Sequence, residues 1–170
     1  MSGSLFSGKF KKIGMDQPST ALRELIDSFN ENQVEYLVIG AHALAFHGLP
    51  RYTGDFDIWV KQSPENAKRI RTALQWVGFD LGAEGQERLT HSHEMLILGS
   101  GPGHVEILTF DLGIDFDAAW SRKLIGLVAG LKLNFLSLED FVAAKRFAGR
   151  RKDLADLDAL RELRGTLPGD

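Results

Sequence analysis

Two aspartates separated by a single residue, Asp55 and Asp57, open a segment that is otherwise apolar. In a β-strand, residues i and i+2 point to the same face, so both carboxylates would share one face and Phe56, Ile58 and Val60 the other. Asp is disfavoured in strands, and two neighbouring carboxylates repel each other unless a cation lies between them. Such a pair suits Mg²⁺, which usually also takes phosphate oxygens. The alternative is two solvated aspartates at the start of a strand.

A glycine turn upstream adds a second element. The apolar segment Tyr36–Ile39 predicts a short buried strand that stops at Gly40, and residues 41–46 predict a brief helix. A helix N-terminus offers free backbone N–H groups and a partial positive charge, both of which suit phosphate. Glycine lets a ligand approach the backbone closely. An ordinary strand-to-helix turn would have the same sequence, so this turn alone does not indicate a ligand.

Together the two elements resemble the signature of the nucleotidyltransferase superfamily related to DNA polymerase β. That signature is an apolar strand, Gly-Gly or Gly-Ser, a short interval, and Asp-x-Asp on a second strand. Here Gly40 and Ala41 are followed by residues 42–54 and then by Asp55 and Asp57. Ala41 lacks the hydroxyl of the usual serine. The resemblance implies that both aspartates hold Mg²⁺ or Mn²⁺ and that Gly40 and Ala41 contact the phosphates of a nucleoside triphosphate.

The superfamily also places a third carboxylate on a neighbouring strand. The resemblance assigns this role to Glu106, where small bacterial members often have Asp, and leaves Asp111 as the fallback. Asp55, Asp57 and Glu106 are therefore the expected catalytic residues and metal ligands.

The C-terminal segment resembles the same small bacterial group, which includes the AbiEii-type toxins. Its tail has an inward lysine on a helix and then Arg-x-Lys-Asp-x-x-Asp. The matching residues here are Lys145, Arg150, Lys152, Asp153 and Asp156. Upstream, an Arg-x-Thr element before the paired aspartates matches Arg51 and Thr53. The resemblance implies that Arg51, Thr53, Lys145, Arg150 and Lys152 help to bind the triphosphate.

The residues themselves leave alternatives open in this tail. Lys145 falls on the apolar stripe of its predicted helix with Phe141 and Val142, so its charge needs a partner. That partner is either a carboxylate of the core or a triphosphate. Arg150 and Lys152 lie near a helix junction, where they either contact phosphate or an RNA backbone or form surface ion pairs.

Length and composition exclude several classes of protein. A chain of 170 residues that is 44% hydrophobic can form one ordinary domain with a core. The net charge of −3 argues against a protein that coats nucleic acid by bulk electrostatics. The absence of cysteine excludes disulfides and zinc–thiolate sites. No apolar run approaches the length of a membrane span, so we expect a cytoplasmic protein with no membrane partner.

The order of elements predicts an α+β (mixed α/β) domain. We expect a small mixed sheet flanked by helices, in the nucleotidyltransferase fold, with two helices closing the chain. A single domain would cover residues 16–170, preceded by a flexible N-terminal arm over residues 1–15. The predicted helices cover residues 19–30, 41–46, 64–77, 116–121, 138–148 and 153–163. The predicted strands cover residues 36–39, 55–60, 94–98 and 105–110, with a pair of short strands within 123–136.

The functional expectation is metal-dependent transfer of a nucleotide monophosphate to an acceptor hydroxyl. The rival expectation is a binding module for nucleotide or for a protein or RNA partner that has kept the fold and lost catalysis, since Ala41 and Glu106 depart from the pattern. The resemblance alone suggests a toxin that acts on tRNA or on a protein hydroxyl and is silenced by an antitoxin partner.

Overall fold

The computed structural model describes residues 3–6, 18–51, 54–100 and 103–170. Inside the arm predicted over residues 1–15, Gly3–Phe6 forms strand β1. The rest of that arm lies outside the described residues, and so does Thr53.

The described residues form an α+β domain with helices and strands mixed along the chain, which confirms the predicted fold class. The remaining strands are β2 (Tyr36–Ile39), β3 (Phe56–Val60), β4 (Met95–Leu98), β5 (Val105–Leu108), β6 (Leu124–Val128) and β7 (Leu131–Phe135). The helices are α1 (Thr20–Glu31), α2 (Gly40–Phe46), α3 (Pro64–Trp76), α4 (Gly82–Arg88), α5 (Phe116–Ser121), α6 (Leu138–Ala148) and α7 (Arg151–Arg164). Among the described helices, none is both long and apolar enough to cross a membrane.

The strands described form one mixed sheet in the order β1-β4-β5-β3-β2-β7-β6. Three neighbouring pairs are parallel, β1 with β4, β3 with β5, and β2 with β7. The pairs β4 with β5, β2 with β3, and β6 with β7 are antiparallel. Strand β3 therefore lies in the middle of the sheet, between β5 and β2, and all three of these strands carry residues of the sequence motifs.

Local sequence explains the helices that pack on this sheet. Helix α1 begins where the Ser19 side chain accepts a hydrogen bond from the backbone N–H of Leu22, and its stripe of Leu22, Leu25, Ile26 and Phe29 is buried. Capping serines of this kind satisfy N–H groups that have no partner within the helix. The hydrophobic period therefore predicted this helix and the face that it buries.

The structure differs from the sequence prediction in a few elements. Helix α4 was not predicted, because Gly82 and Gly85 interrupt it and it has no apolar stripe. Strand β3 begins at Phe56, so Asp55 precedes it. Helix α7 begins at Arg151, earlier than predicted, because Asp153 caps the backbone N–H of Arg150.

Candidate functional site

The register of two parallel strands brings the acidic residues together. Asp57 on β3 is paired with Glu106 on β5, and directly paired residues project to the same face of a sheet. Asp55 lies two residues before Asp57, and His104 lies two residues before Glu106. The backbone N–H of Phe56 donates a hydrogen bond to the carbonyl of His104 over 2.9 Å. Because side chains at i and i+2 share a face, Asp55, Asp57, His104 and Glu106 form one polar patch, here termed the acidic wall.

Asp57 is the most deeply placed member of the acidic wall. Its Oδ1 atom is buried and has no hydrogen-bond partner among the described residues. Burial raises the pKa of Asp57 from 3.8 to about 7, and a hydrogen bond with Glu106 and the negative charges of Glu106 and Asp55 act in the same direction. The fold therefore holds this carboxyl group where its negative charge is costly unless a cation is bound nearby.

Gly40 makes room for the Asp57 carboxylate. It is the first residue of α2 and has a φ of +69°. A Cβ atom built on Gly40 would overlap Asp57 Oδ2. Glycine is thus required here for two reasons: the backbone is left-handed, and the aspartate approaches closely. Ala41 follows in the first turn of α2, and both residues line the same cleft as the acidic wall.

We expect Gly40→Ala to lower stability and to displace Asp57. The matched control is Gly82→Ala, because Gly82 also begins a helix, has a φ of +65°, and has no atom of the described residues within 4 Å of an added Cβ. The control should cost about 1 kcal/mol for its backbone, and Gly40→Ala about 2 kcal/mol because overlap adds to it. Chemical denaturation measures both. Equal losses of stability in the two variants would show that the overlap with Asp57 adds no destabilisation.

The His104 side chain lies between the carboxylates of Asp55 and Glu106, at the more exposed end of the acidic wall. His104 Nδ1 lies 3.3 Å from Asp55 Oδ1, and His104 Nε2 lies 2.8 Å from Glu106 Oε1. The side chain of Asp55 is 43% exposed, whereas those of His104 and Glu106 are about half as exposed. This end of the wall is therefore open to ions from solvent.

The opposite wall of the cleft is basic and comes from α6, the α6–α7 junction and the segment after α2. Lys145 Nζ lies 3.0 Å from Asp153 Oδ1 and 3.1 Å from Asp156 Oδ2. Arg150 Nε binds Asp153 at 2.6 Å, and Arg51 Nη1 binds Asp156 at 2.6 Å. Two buried carboxylates thus hold three cations in place, and we term these five residues the basic cluster.

Asp153 anchors the basic cluster. Its side chain is 0% exposed. Burial acts to raise the pKa of Asp153, but hydrogen bonds from Arg150 and Lys145 outweigh it and hold that pKa at about 2. In the structure, Lys145 is therefore paired with core carboxylates, one of the two partners that the sequence left open. Arg150 forms an ion pair with Asp153, one of the alternatives left open for it.

The two walls enclose a cleft of about 360 Å³. Asp55, Asp57 and Glu106 line it, and so do the exposed Lys152 and every member of the basic cluster except Asp156. Apolar side chains of Leu108, Leu136 and Phe141 complete the lining. A cleft with carboxylates on one side and a surplus of cations on the other suits a ligand that brings both a metal ion and phosphate groups.

The structure brings most of the predicted site residues to this cleft. Those that line it are Gly40, Ala41, Arg51, Asp55, Asp57, Glu106, Lys145, Arg150 and Lys152. Asp111, the fallback for the third carboxylate, instead lines a separate pocket with Trp59 and accepts a hydrogen bond from Gly113 N–H. Thr53 is not among the described residues.

His104 was not predicted as a site residue. Its spacing to the other histidines matches no metal-binding motif. The signal that would have found it is its position two residues before Glu106, which places both side chains on one face.

The donor set of the acidic wall fits a divalent metal ion. It offers carboxylate oxygens, the ligands that hard cations prefer. The buried Oδ1 atom of Asp57 lacks a hydrogen-bond partner among the described residues, and a bound cation would satisfy it. One ligand atom from each of Asp55, His104 and Glu106 lies within 4.8 Å of the other two.

Comparisons with known proteins give matches only among solved structures. No protein-family model matches this chain, and no curated protein matches its sequence. The chain is similar to an antigenic nucleotidyltransferase-like protein from Paracoccidioides brasiliensis, at 17% identity over 85% of this chain and 75% of that one, with a TM-score of 0.49. It is also similar to a protein from Thermotoga maritima named as a candidate nucleotidyltransferase, at 20% identity over 84% and 91%, with a TM-score of 0.49.

Proposed function

We propose that this protein is a metal-dependent nucleotidyltransferase. It would transfer a nucleotide monophosphate from a nucleoside triphosphate to an acceptor hydroxyl. The observation that carries the proposal is the pairing of Asp57 with Glu106 across β3 and β5, in a cleft whose facing wall carries the basic cluster. Two adjacent carboxylates on one face of a sheet repel each other, and a bound cation removes that cost.

The acidic and the basic residues of the cleft would have different roles. Asp55, Asp57 and Glu106 would hold Mg²⁺ or Mn²⁺. When bound, the metal ion neutralises charge on the triphosphate and polarises its α-phosphorus. The backbone of Gly40 and Ala41 would bind phosphate oxygens. Arg51, Arg150 and Lys152 would add positive charge from the opposite wall, and Lys145 would contribute mainly by holding Asp153 and Asp156 in place.

The reaction that fits this arrangement is an in-line displacement. The acceptor oxygen forms a bond to the α-phosphorus while the bond from that phosphorus to the oxygen bridging to the β-phosphorus breaks. Pyrophosphate leaves. Glu106 lies at the open end of the acidic wall and would accept the proton of the acceptor hydroxyl, whereas Asp57 is more deeply buried beside Gly40.

The acceptor would be a tRNA end or a protein hydroxyl, and an antitoxin partner would silence the enzyme. Both expectations come from the resemblance of the Lys145 to Asp156 tail, and they are independent of the metal assignment. A growth defect on expression that requires Asp57 would support the toxin role, and undisturbed growth would count against it.

The test of the proposed function is a transfer assay. The purified chain is incubated with each common nucleoside triphosphate, labelled on the α-phosphate, with Mg²⁺ or Mn²⁺ and with total tRNA or cell protein as acceptor. We expect label on one acceptor class, release of pyrophosphate, and loss of both with EDTA. A parallel reaction labelled on the γ-phosphate distinguishes phosphoryl transfer.

The rival function, a binding module without catalysis, predicts a different result in the same assay. It predicts no transferred label under any condition, together with heat on titration of nucleotide and metal into the protein. That combination would overturn the transferase proposal and leave a nucleotide-binding cleft. The exposed Asp27 on α1 provides a control variant, Asp27→Asn, which should behave as the wild type in both measurements.

A further inference from the structure

His104 places an imidazole among the carboxylates of the acidic wall. Each of its two ring nitrogens faces a carboxylate oxygen, Nδ1 that of Asp55 and Nε2 that of Glu106. A carboxylate oxygen only accepts hydrogen bonds, so a positive partner, either a proton or a metal ion, is needed on each side of the ring. The ligand set named under the proposed function consists of carboxylates and assigns no role to either ring nitrogen of His104.

We propose that His104 is a metal ligand. With Asp55 and Glu106 it forms a mixed nitrogen and oxygen site that binds a first-row transition-metal ion, such as Mn²⁺, in preference to Mg²⁺. The inference rests on the proposed function, because it names the ion that serves the same cleft.

The chemistry of the donors supports this preference. Imidazole nitrogen is a good ligand for transition-metal ions, whereas Mg²⁺ favours oxygen ligands and retains its waters. Nitrogen and carboxylate ligands of such ions lie about 2.0–2.2 Å from the metal, so ligand atoms around one ion are at most about 4.4 Å apart. The ligand atoms of Asp55, His104 and Glu106 lie within 4.8 Å of one another. A small movement of these side chains is enough to close around an ion.

The backbone holds the three ligands at this spacing. Phe56 N–H donates to the His104 carbonyl over 2.9 Å, which fixes the residues just before β3 and β5 relative to each other. The register of the two strands then places Glu106 opposite Asp57. His104 is also only 19% exposed, so its ring loses little conformational freedom when an ion binds. Together with Asp57 these are four protein ligands, which leaves two positions of an octahedral ion open for phosphate oxygens.

The experiment measures metal binding by the full chain without nucleotide. Calorimetric titrations with Mn²⁺ and, separately, Mg²⁺ are made on the wild type and on His104→Asn and His104→Ala. The control is His91→Asn, because His91 is exposed and outside the cleft. Thermal unfolding monitored by circular dichroism verifies that each variant is folded.

We expect the wild type to bind Mn²⁺ more tightly than Mg²⁺. Loss of even an outer partner of a metal ligand weakens binding by about 10- to 100-fold, so both His104 variants should lose at least about tenfold in Mn²⁺ affinity. Their Mg²⁺ affinity should be nearly unchanged, and the His91 control should match the wild type. Equal losses for the two ions, or no loss of Mn²⁺ affinity, would overturn the assignment.

A spectroscopic signature makes the inference independent of how well the variants fold. Pulsed electron paramagnetic resonance of Mn²⁺ bound to the wild type should show coupling to a directly coordinated nitrogen, and its absence would overturn the assignment. The outcome also separates the two proposals. Nitrogen-bound Mn²⁺ without nucleotide transfer would support the His104 site and refute the transferase. Nucleotide transfer with a metal preference that is the same in the wild type and the His104 variants would support the transferase and refute the His104 site.

Discussion

Asp57→Asn is expected to abolish nucleotide transfer and, at the same time, to stabilise the metal-free protein at pH 8. Loss of an outer partner of a metal ligand costs about 10- to 100-fold in activity, and loss of the ligand itself should cost at least about 100-fold. The gain in stability has a separate origin. Asparagine keeps the shape of the side chain and carries no charge into the space beside Gly40 and Glu106.

The sign of this gain follows from linkage. Burial raises the pKa of Asp57 from 3.8 to about 7, so the folded protein binds a proton more tightly than the unfolded chain. The stability of the wild type therefore falls as pH rises from about 4 to 7, and asparagine removes that fall. A raised pKa of this size corresponds to roughly 2–4 kcal/mol above pH 7, and the advantage of Asp57→Asn should shrink toward pH 4.

Denaturation with EDTA at pH 4.5 and pH 8 measures the difference, with Asp27→Asn as an exposed control. Added metal ion should reverse the order of stability, because a ligand stabilises the form that binds it. An asparagine variant that is less stable than the wild type at pH 8 in EDTA, or one that still transfers nucleotide, would contradict the role given to Asp57.

Lys145→Met is expected to destabilise the fold by about 3 kcal/mol. The ammonium group of Lys145 is shared between Asp153 and Asp156, which are 0% and 6% exposed. Removing one partner from a buried ion pair costs about 3–5 kcal/mol. We expect the lower end because Arg150 and Arg51 remain as partners of the two carboxylates. In a chain of this length, such a loss lowers the Tm by about 6–12 °C.

The matched control is Lys152→Met, since Lys152 lines the same cleft and is exposed. Its Tm should stay close to that of the wild type while its affinity for nucleoside triphosphate falls. A second measurement tests the cause. The pKa of Asp153 is held at about 2, so the stability that it contributes is present above pH 4 and is lost as pH falls through 2. In Lys145→Met, the stability should therefore depend less on pH below pH 4. An unchanged Tm together with weaker nucleotide binding would instead show that Lys145 binds phosphate.

Local patterns in the sequence were enough to predict the elements that carry the site. The apolar stripe of α1, the serine and proline at the start of α3, and the i, i+2 spacing of Asp55 and Asp57 each depend on a few neighbouring residues. The structure then places Gly40 and the two aspartates, whose joint spacing the prediction used, on the lining of one cleft.

What could not be predicted depends on contacts between distant segments. The pairing of Asp57 with Glu106 is a matter of strand register, and register is set by long-range packing. The partners of Lys145 lie on the next helix, so periodicity indicated only that its charge needs one. The contact of His104 with Asp55 is of the same kind, because it joins the residues just before β3 and β5.

The parallel pairing of β3 with β5 has a consequence for how the chain folds. These strands are separated along the chain by α3, α4 and β4, and parallel pairings between distant segments form slowly because a long loop must first be closed. During synthesis, a segment with β2, α2 and β3 emerges with its aspartates still surrounded by water. The docking of β5 is thus the step that brings Glu106 against Asp57, and it is there that the kinetic barrier to folding should respond to pH and to divalent ions.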